Sequence, residues 1–452
     1  MRILPCAALP VALAVTACFN PSTDDATEGA TGSTGGDPST GMAPTTMNPT
    51  ASSTSPGEST AADPDGTTAA TATDDGTTAG VDYTSGGTTS EPGTSSSSGG
   101  FVAECDDGVP SPGELCFDGA TAVSATDVMY SPRLGDVDGD DISDLVFLIG
   151  DQIVIHPGVG DGTFGNGQFD ETVFGTDAEL VDTTDDGNLD VVLTAFFNEQ
   201  LTTAVGAGDG TFEIQDTVTT GPSPMVLTPA LITGDDIPDI IVGGGATGSV
   251  RVYESGPGGL NLVETVSTGG AVREVAAGDF NSDDALDVVY STDDTDTPIG
   301  LRLGDGTGNL GTEVDVTTSV DGAFGLAAGD VDNDGNDDLA VAGADSVAVL
   351  LGNGAAAFGS ETLLTGAGTA NYVVIAELTN DDFADVVATY SDSQTVSIWQ
   401  SNGDGSFDTR LDIAIGTTSD SLAVGDGNGD VVPDIVVGST NGELATVILS
   451  TP

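Results

Sequence analysis

One spacing constrains this chain more than any other feature. An acidic pattern returns seven times, starting at Asp136, Asp182, Leu231, Asp279, Asp330, Glu377 and Asp426. The intervals are 46, 49, 48, 51, 47 and 49 residues. A period of this length marks one supersecondary unit per repeat, as in propellers and solenoids. The fullest copy reads Asp330-Val-Asp332-Asn-Asp334-Gly335-Asn-Asp-Asp338, followed by Leu-Ala-Val.

Carboxylates or amides recur at loop positions 1, 3, 5 and 9. Alternate residues of a tight turn aim inward, so their oxygens converge and repel unless a cation sits among them. An all-oxygen donor set selects a hard ion, calcium above zinc or copper. The candidate ligands are Asp136, Asp138, Asp140 and Asp144; Asp182, Asp186 and Asp190; Asp279, Asn281, Asp283 and Asp287; Asp330, Asp332, Asp334 and Asp338; Glu377, Asp381 and Asp385; and Asp426, Asn428, Asp430 and Asp434. The copy at Leu231 keeps only Asp235 and Asp239 and is expected to bind weakly or not at all. Five to seven calcium sites are therefore expected. An EF-hand needs Glu at position 12 and a helix on each side. Position 12 here is Phe147, Leu193, Tyr290, Val341 or Val437, and the flanks are β-branched runs such as Asp434-Ile-Val-Val. Those runs read as strands.

Each unit continues alike. After the loop come two strands, as in Val347-Ala-Val-Leu-Leu and Val396-Ser-Ile-Trp399. A Gly-rich turn follows, as in Gly160-Asp-Gly-Thr-Phe164, Gly208-Asp-Gly-Thr-Phe212 and Gly403-Asp-Gly-Ser-Phe407. A third strand and a fourth lead into the next loop. Four short strands per unit make a propeller blade. The motif D-x-D-x-D-G-x-x-D with its aliphatic tail resembles the FG-GAP and VCBS repeats of integrin-alpha-type propellers, over about residues 120–452. The expected fold is all-β: a seven-bladed β-propeller with calcium-binding loops, preceded by a disordered low-complexity linker. The last copy ends before any Gly-rich turn and outer strand. The stretch Glu114-Leu-Cys116-Phe117 onward is predicted to supply that strand and close the ring, since an open array leaves edges that aggregate.

The N-terminus reads as an address. Residues 1–17 carry one Arg and then an apolar run too short to span a bilayer, the pattern of a secretory signal. Val15-Thr16-Ala17-Cys18 resembles a bacterial lipobox, which implies lipidation of Cys18 and an exported lipoprotein at the outer membrane or cell surface. Residues 18–100 are rich in Thr, Ser and Gly, cannot bury enough surface to order themselves, and read as a tether. Residues 101–119 hold the remaining pair, Cys105 and Cys116, expected as a local disulfide in an exported chain. Residues 120–452 are the propeller.

Charge narrows the function. The chain has 6 basic residues, all Arg, against 73 acidic ones, for a formal net charge of −67. Nucleic-acid binding is excluded, because phosphate contacts need Lys and Arg. Membrane attachment is left to the N-terminal lipid. The single His156 rules out multi-His metal sites, and no catalytic triad can be assigned. Trp399, Tyr253 and His156 fall at similar repeat positions, where scattered packing aromatics outweigh a sugar-stacking set. The few Arg residues read as individual ion pairs, with Arg251 and Arg302 as candidates for an anionic ligand. The resemblance implies a non-enzymatic adhesion or ligand-binding module for protein or glycan. The alternative is a carbohydrate-active enzyme, lyase or hydrolase, on a propeller scaffold.

Overall fold

Each repeat folds into one four-stranded antiparallel sheet. The first is β2 (Met129–Gly135), β3 (Asp144–Ile149), β4 (Gln152–His156) and β5 (Gln168–Thr172), hydrogen-bonded in that order. The acidic loop joins the first strand to the second, and the Gly-rich turn joins the third to the fourth. In an up-and-down sheet both connections fall at the same end. The computed structural model describes residues 115–124, 129–149, 152–172, 175–245, 248–294, 298–419, 421–439 and 444–450. Cys18, Cys105, the expected signal and the expected tether lie outside them. The described residues contain 28 strands in seven four-stranded sheets and no helix.

The second strand of every blade is buried along its whole length, which is why these segments read as unbroken apolar runs. The outer strand of blade two, β9 (Phe212–Thr219), is instead largely exposed after its first residue.

Seven apolar clusters form the core, one between each pair of neighbouring blades. One joins Val146 and Leu148 of blade one to Val191 and Leu193 of blade two. Another joins Leu145 and Phe147 of blade one to Val436 and Val447 of blade seven, completing the circle. Each fully buried Val, Leu or Phe contributes roughly 1.5–3 kcal/mol.

The innermost strands are β2, β6 (Asp177–Val181), β10 (Pro224–Ala230), β14 (Val272–Gly278), β18 (Gly325–Gly329), β22 (Ala370–Ala376) and β26 (Ser421–Gly425). Each touches the next, and β26 touches β2, so they encircle a central channel. Closure is offset by one strand: β1 (Phe117–Ser124) pairs antiparallel with β28 (Leu444–Ser450) as the outermost strand of blade seven. Neither β1 nor β28 can leave the ring without breaking this sheet. Cys116, buried just before β1, is disulfide-bonded.

Candidate functional site

The acid at loop position 9 has the same task in all seven blades. Asp144, Asp190, Asp239, Asp287, Asp338, Asp385 and Asp434 are each buried at the start of the second strand. One oxygen accepts a backbone N–H near the start of the loop: from Val137, Thr183, Thr233, Phe280, Val331, Leu378 and Gly427, at 2.8–3.2 Å. The other accepts an N–H from the end of the third strand: from Gly158, Gly206, Ser255, Gly304, Gly352, Ser401 and Ser450, at 2.7–3.1 Å. These carboxylates bracket the loop against the turn. In blades one, two, four and five the second donor is glycine because a side chain there would strike the carbonyl oxygen of loop position 8. Burial pushes all seven carboxyls up, Asp287, Asp338 and Asp434 to about 7.

Neighbouring blades are latched at the same face. The Gly-rich turn of one blade donates to the loop carbonyl of the blade before it: Gly210 to Val137 at 2.9 Å, Gly308 to Ile232 at 3.0 Å and Ala356 to Phe280 at 2.8 Å. The Ser401 hydroxyl does the same to Val331 at 2.6 Å.

Positions 1, 3 and 5 then divide the loops. In blade one Asp136 accepts the N–H groups of Gly139 and Asp141, and Asp140 that of Ile142. In blade five Asp330 accepts from Asp334 and Gly335, and Asp334 from Asn336. The position-3 acids differ. Asp138 and Asp332 each hold a buried Oδ1 with no hydrogen-bond partner. Both carboxyls are pushed up by burial and then by the flanking acids, Asp140 and Asp136 for one, Asp334 and Asp330 for the other.

Among the described residues, two sets bring three carboxylate oxygens within 4.8 Å of one another: Asp136, Asp138 and Asp144, and Asp330, Asp332 and Asp338. Elsewhere position 3 is neutral, and in blades two, four, six and seven it is satisfied inside the loop. Thr184 donates to Asp182, Asn281 to Asp287, Thr379 to Glu377 and Asn428 to Asp430. In these loops Asp182 also accepts from Gly187, Asp186 from Asn188, Asp279 from Asp284 and Asp283 from Ala285. Asp381 accepts from Phe383, Asp426 from Val431 and Asp430 from Val432. The all-carboxylate donor set and the two orphaned oxygens fit a hard cation in loops one and five. A calcium ion there would supply the missing positive charge and tie the loop together.

The left-handed conformation at loop position 6 is used beyond glycine. Gly187 and Gly335 adopt it, as do Asp141, Asp284, Asp382 and Val431.

His156, Tyr253 and Trp399 are buried and pack the core. His156 stacks on Phe147 at 5.3 Å, its Nδ1 is 2.8 Å from the Gly165 carbonyl, and burial lowers its pKa. Arg302 and Arg410 pair with Glu313 and Asp412, each at 2.8 Å. Arg251 is buried, with no hydrogen-bond partner for its Nη1.

The central channel is a cavity of about 840 Å³. Sequence reasoning missed its charged wall. Arg133 forms a two-pronged bond to Glu179, at 2.7 and 2.6 Å, and lies 3.7 Å from Asp177. Ser131 reaches Asp177 at 2.7 Å from a left-handed backbone at a bulge in β2. Glu274 also lines the cavity, and its crowded wall and the nearby Asp177 push it up to about 8.

Fold and loops together define a closed seven-bladed β-propeller with aspartate-lined loops on one face. Residues 279–341 and 330–388 match the FG-GAP-like repeat, so the chain carries repeats of that family in blades four to six. No curated protein matches the chain. Among solved structures it is similar to BBS1N in complex with ARL6DN. The mercury-soaked crystal gives 12% identity and a TM-score of 0.53, covering 75% of this chain and 97% of that one. The lead-soaked crystal gives 12% identity and a TM-score of 0.55, covering 74% and 97%. A lectin of Agrocybe aegerita that recognises non-reducing terminal N-acetylglucosamine is 16% identical with a TM-score of 0.50, covering 70% and 86%. At these identities the likeness is one of fold.

Proposed function

We propose that this chain is an exported, non-enzymatic ligand-binding module, anchored through a lipid on Cys18 and holding calcium in its acidic loops, loops one and five first. The observation that carries the calcium reading is the split among loop acids. Position 9 is committed to backbone N–H groups in every blade, while Asp138 and Asp332 keep buried oxygens that nothing satisfies. Bound calcium would stiffen loops that already latch adjacent blades, giving a rigid ring whose faces can hold a partner. Support for a protein or glycan partner comes from the fold neighbours, one crystallised with ARL6DN and one a lectin for terminal N-acetylglucosamine.

The test is a glycan and protein array probed with the full chain, with calcium and with chelator, beside a polysaccharide depolymerisation assay. Calcium-dependent retention of one ligand class without depolymerisation is expected. Depolymerisation would replace the binding reading with a carbohydrate-active enzyme.

A further inference from the structure

The walls of the central channel are chemically lopsided, in a way that repeat symmetry alone would not produce. Seven inner-strand residues occupy one equivalent level, each paired with the third residue of its neighbouring strand. They are Arg133, Glu179, Thr228, Ala276, Ala327, Val374 and Ala423. Charge is confined to blades one and two, and blades four to seven offer only small apolar groups. The level nearer the strand starts carries Asp177 in blade two and Glu274 in blade four.

The Arg133–Glu179 pair neutralises itself. Asp177 is held by Ser131, by the Ala178 N–H and by the Leu227 N–H. Glu274 accepts only the N–H of Val275, at 3.3 Å, and has no ion pair among the described residues. The remaining Arg of this region, Arg273, lies over the Phe324 ring at 5.2 Å. Asp177 also has Arg133 at 3.7 Å, so Glu274 is the acid without a cation of its own, in a cavity that Leu326, Val374 and Leu422 line as well. The mouth at the strand starts is greasy and open. Tyr130 and Met225 are each 40% exposed there, and Phe196 lines it with its ring 5.1 Å from that of Phe197, which is 90% exposed. A cavity of this volume lies in the range that accepts small organic ligands.

We propose that the channel binds an alkylammonium group, with the cation at Glu274 and the hydrocarbon along the wall of blades five to seven. The carrier is either a free amine or a lysine side chain of a partner. This rests on the reading of the protein as a binding module. A bare anion finds no free cation here, because Arg133 is already paired with Glu179, and a neutral alkane leaves Glu274 without a partner. Aromatic side chains at the entrance suit a cation by attraction to their ring faces.

The experiment titrates the calcium-loaded full chain at pH 9, where Glu274 is ionised and an alkylammonium keeps its charge, with n-hexylammonium, n-hexanoate and a blocked lysine peptide, followed by calorimetry. Hexylammonium is expected to bind one to one and hexanoate not at all. Binding of the peptide as well assigns the natural carrier to a protein side chain; its failure assigns it to a free amine. Glu274→Gln removes one charge among dozens of surface acids, so diffuse attraction barely changes. The proposal expects the affinity to fall at least tenfold while the melting temperature does not drop. Ala276→Leu, which narrows the channel without touching charge, is expected to weaken binding as well and serves if the first variant misfolds. Equal affinity in both variants, or no amine binding, overturns the channel site. Array ligands retained by Glu274→Gln would leave the binding-module reading standing while removing this site; an array without any hit would remove the broader reading too.

Discussion

Blade three separates the structural role of the loop acids from any ionic role. Its loop starts with Leu231 and carries Thr233 at position 3, yet Asp239 is fully buried and accepts the Thr233 N–H at 2.9 Å and the Ser255 N–H at 3.1 Å. Asp239→Ala orphans both donors. An unsatisfied buried donor costs about 1–3 kcal/mol, so the pair costs about 2–6. Part is returned because a buried carboxylate whose pKa is raised by burial is also removed. A net loss of about 3 kcal/mol is expected. For a ring of roughly 330 residues the unfolding entropy is near 0.7 kcal/mol per degree, which converts that loss to a Tm lower by about 4 °C. Differential scanning calorimetry with calcium and with EDTA is the assay. The drop is expected to be the same in both. A drop below 1 °C, or one seen only with calcium, would refute the bracket and return position 9 to the ion.

Two further outcomes follow from the same coordinates. Val431 occupies loop position 6 at φ 77° and is 86% exposed, so Val431→Gly relieves a left-handed β-branched residue without losing packing. The relief of about 1–2 kcal/mol, less the extra backbone entropy of glycine, leaves about 0.5–1 kcal/mol of stabilisation, read as a higher denaturation midpoint. An unchanged or lower midpoint contradicts it. Glu274 gives a pH signature. Its carboxyl rises from 4.5 to about 8 on folding. Stability from this group is full below about pH 4.5, declines as pH rises, and is lost above 8. With water in the channel discounting the shift, Glu274→Gln is expected to be about 2 kcal/mol more stable than the parent at pH 9 and equal to it at pH 4. Parallel stability–pH curves for the two proteins would exclude the effect.

Much of the ring was legible because it is written in residue types at fixed spacing. The loop period counts the blades, and the apolar runs after each loop are strands buried on both faces. Ring closure was readable from the outer strand missing from the seventh repeat, which Phe117–Ser124 supplies. The position-9 bracket was not legible. Its donors are backbone N–H groups, which leave no identity in the sequence, so Asp144 and Asp338 resemble their loop partners on paper. The latch from Gly210 to Val137 is hidden for the same reason. The difference between a satisfied Asn281 and an orphaned Asp138 depends on where side chains turn, not on how many acids a loop has. The Arg133–Glu179 pair spans two repeats at equivalent positions, and only the closed ring brings it to one channel.

The most direct test of the account is anomalous diffraction from crystals grown with calcium. It predicts ions among Asp136, Asp138 and Asp144 and among Asp330, Asp332 and Asp338. A map in which both loops keep this conformation with no ion at either set would contradict it.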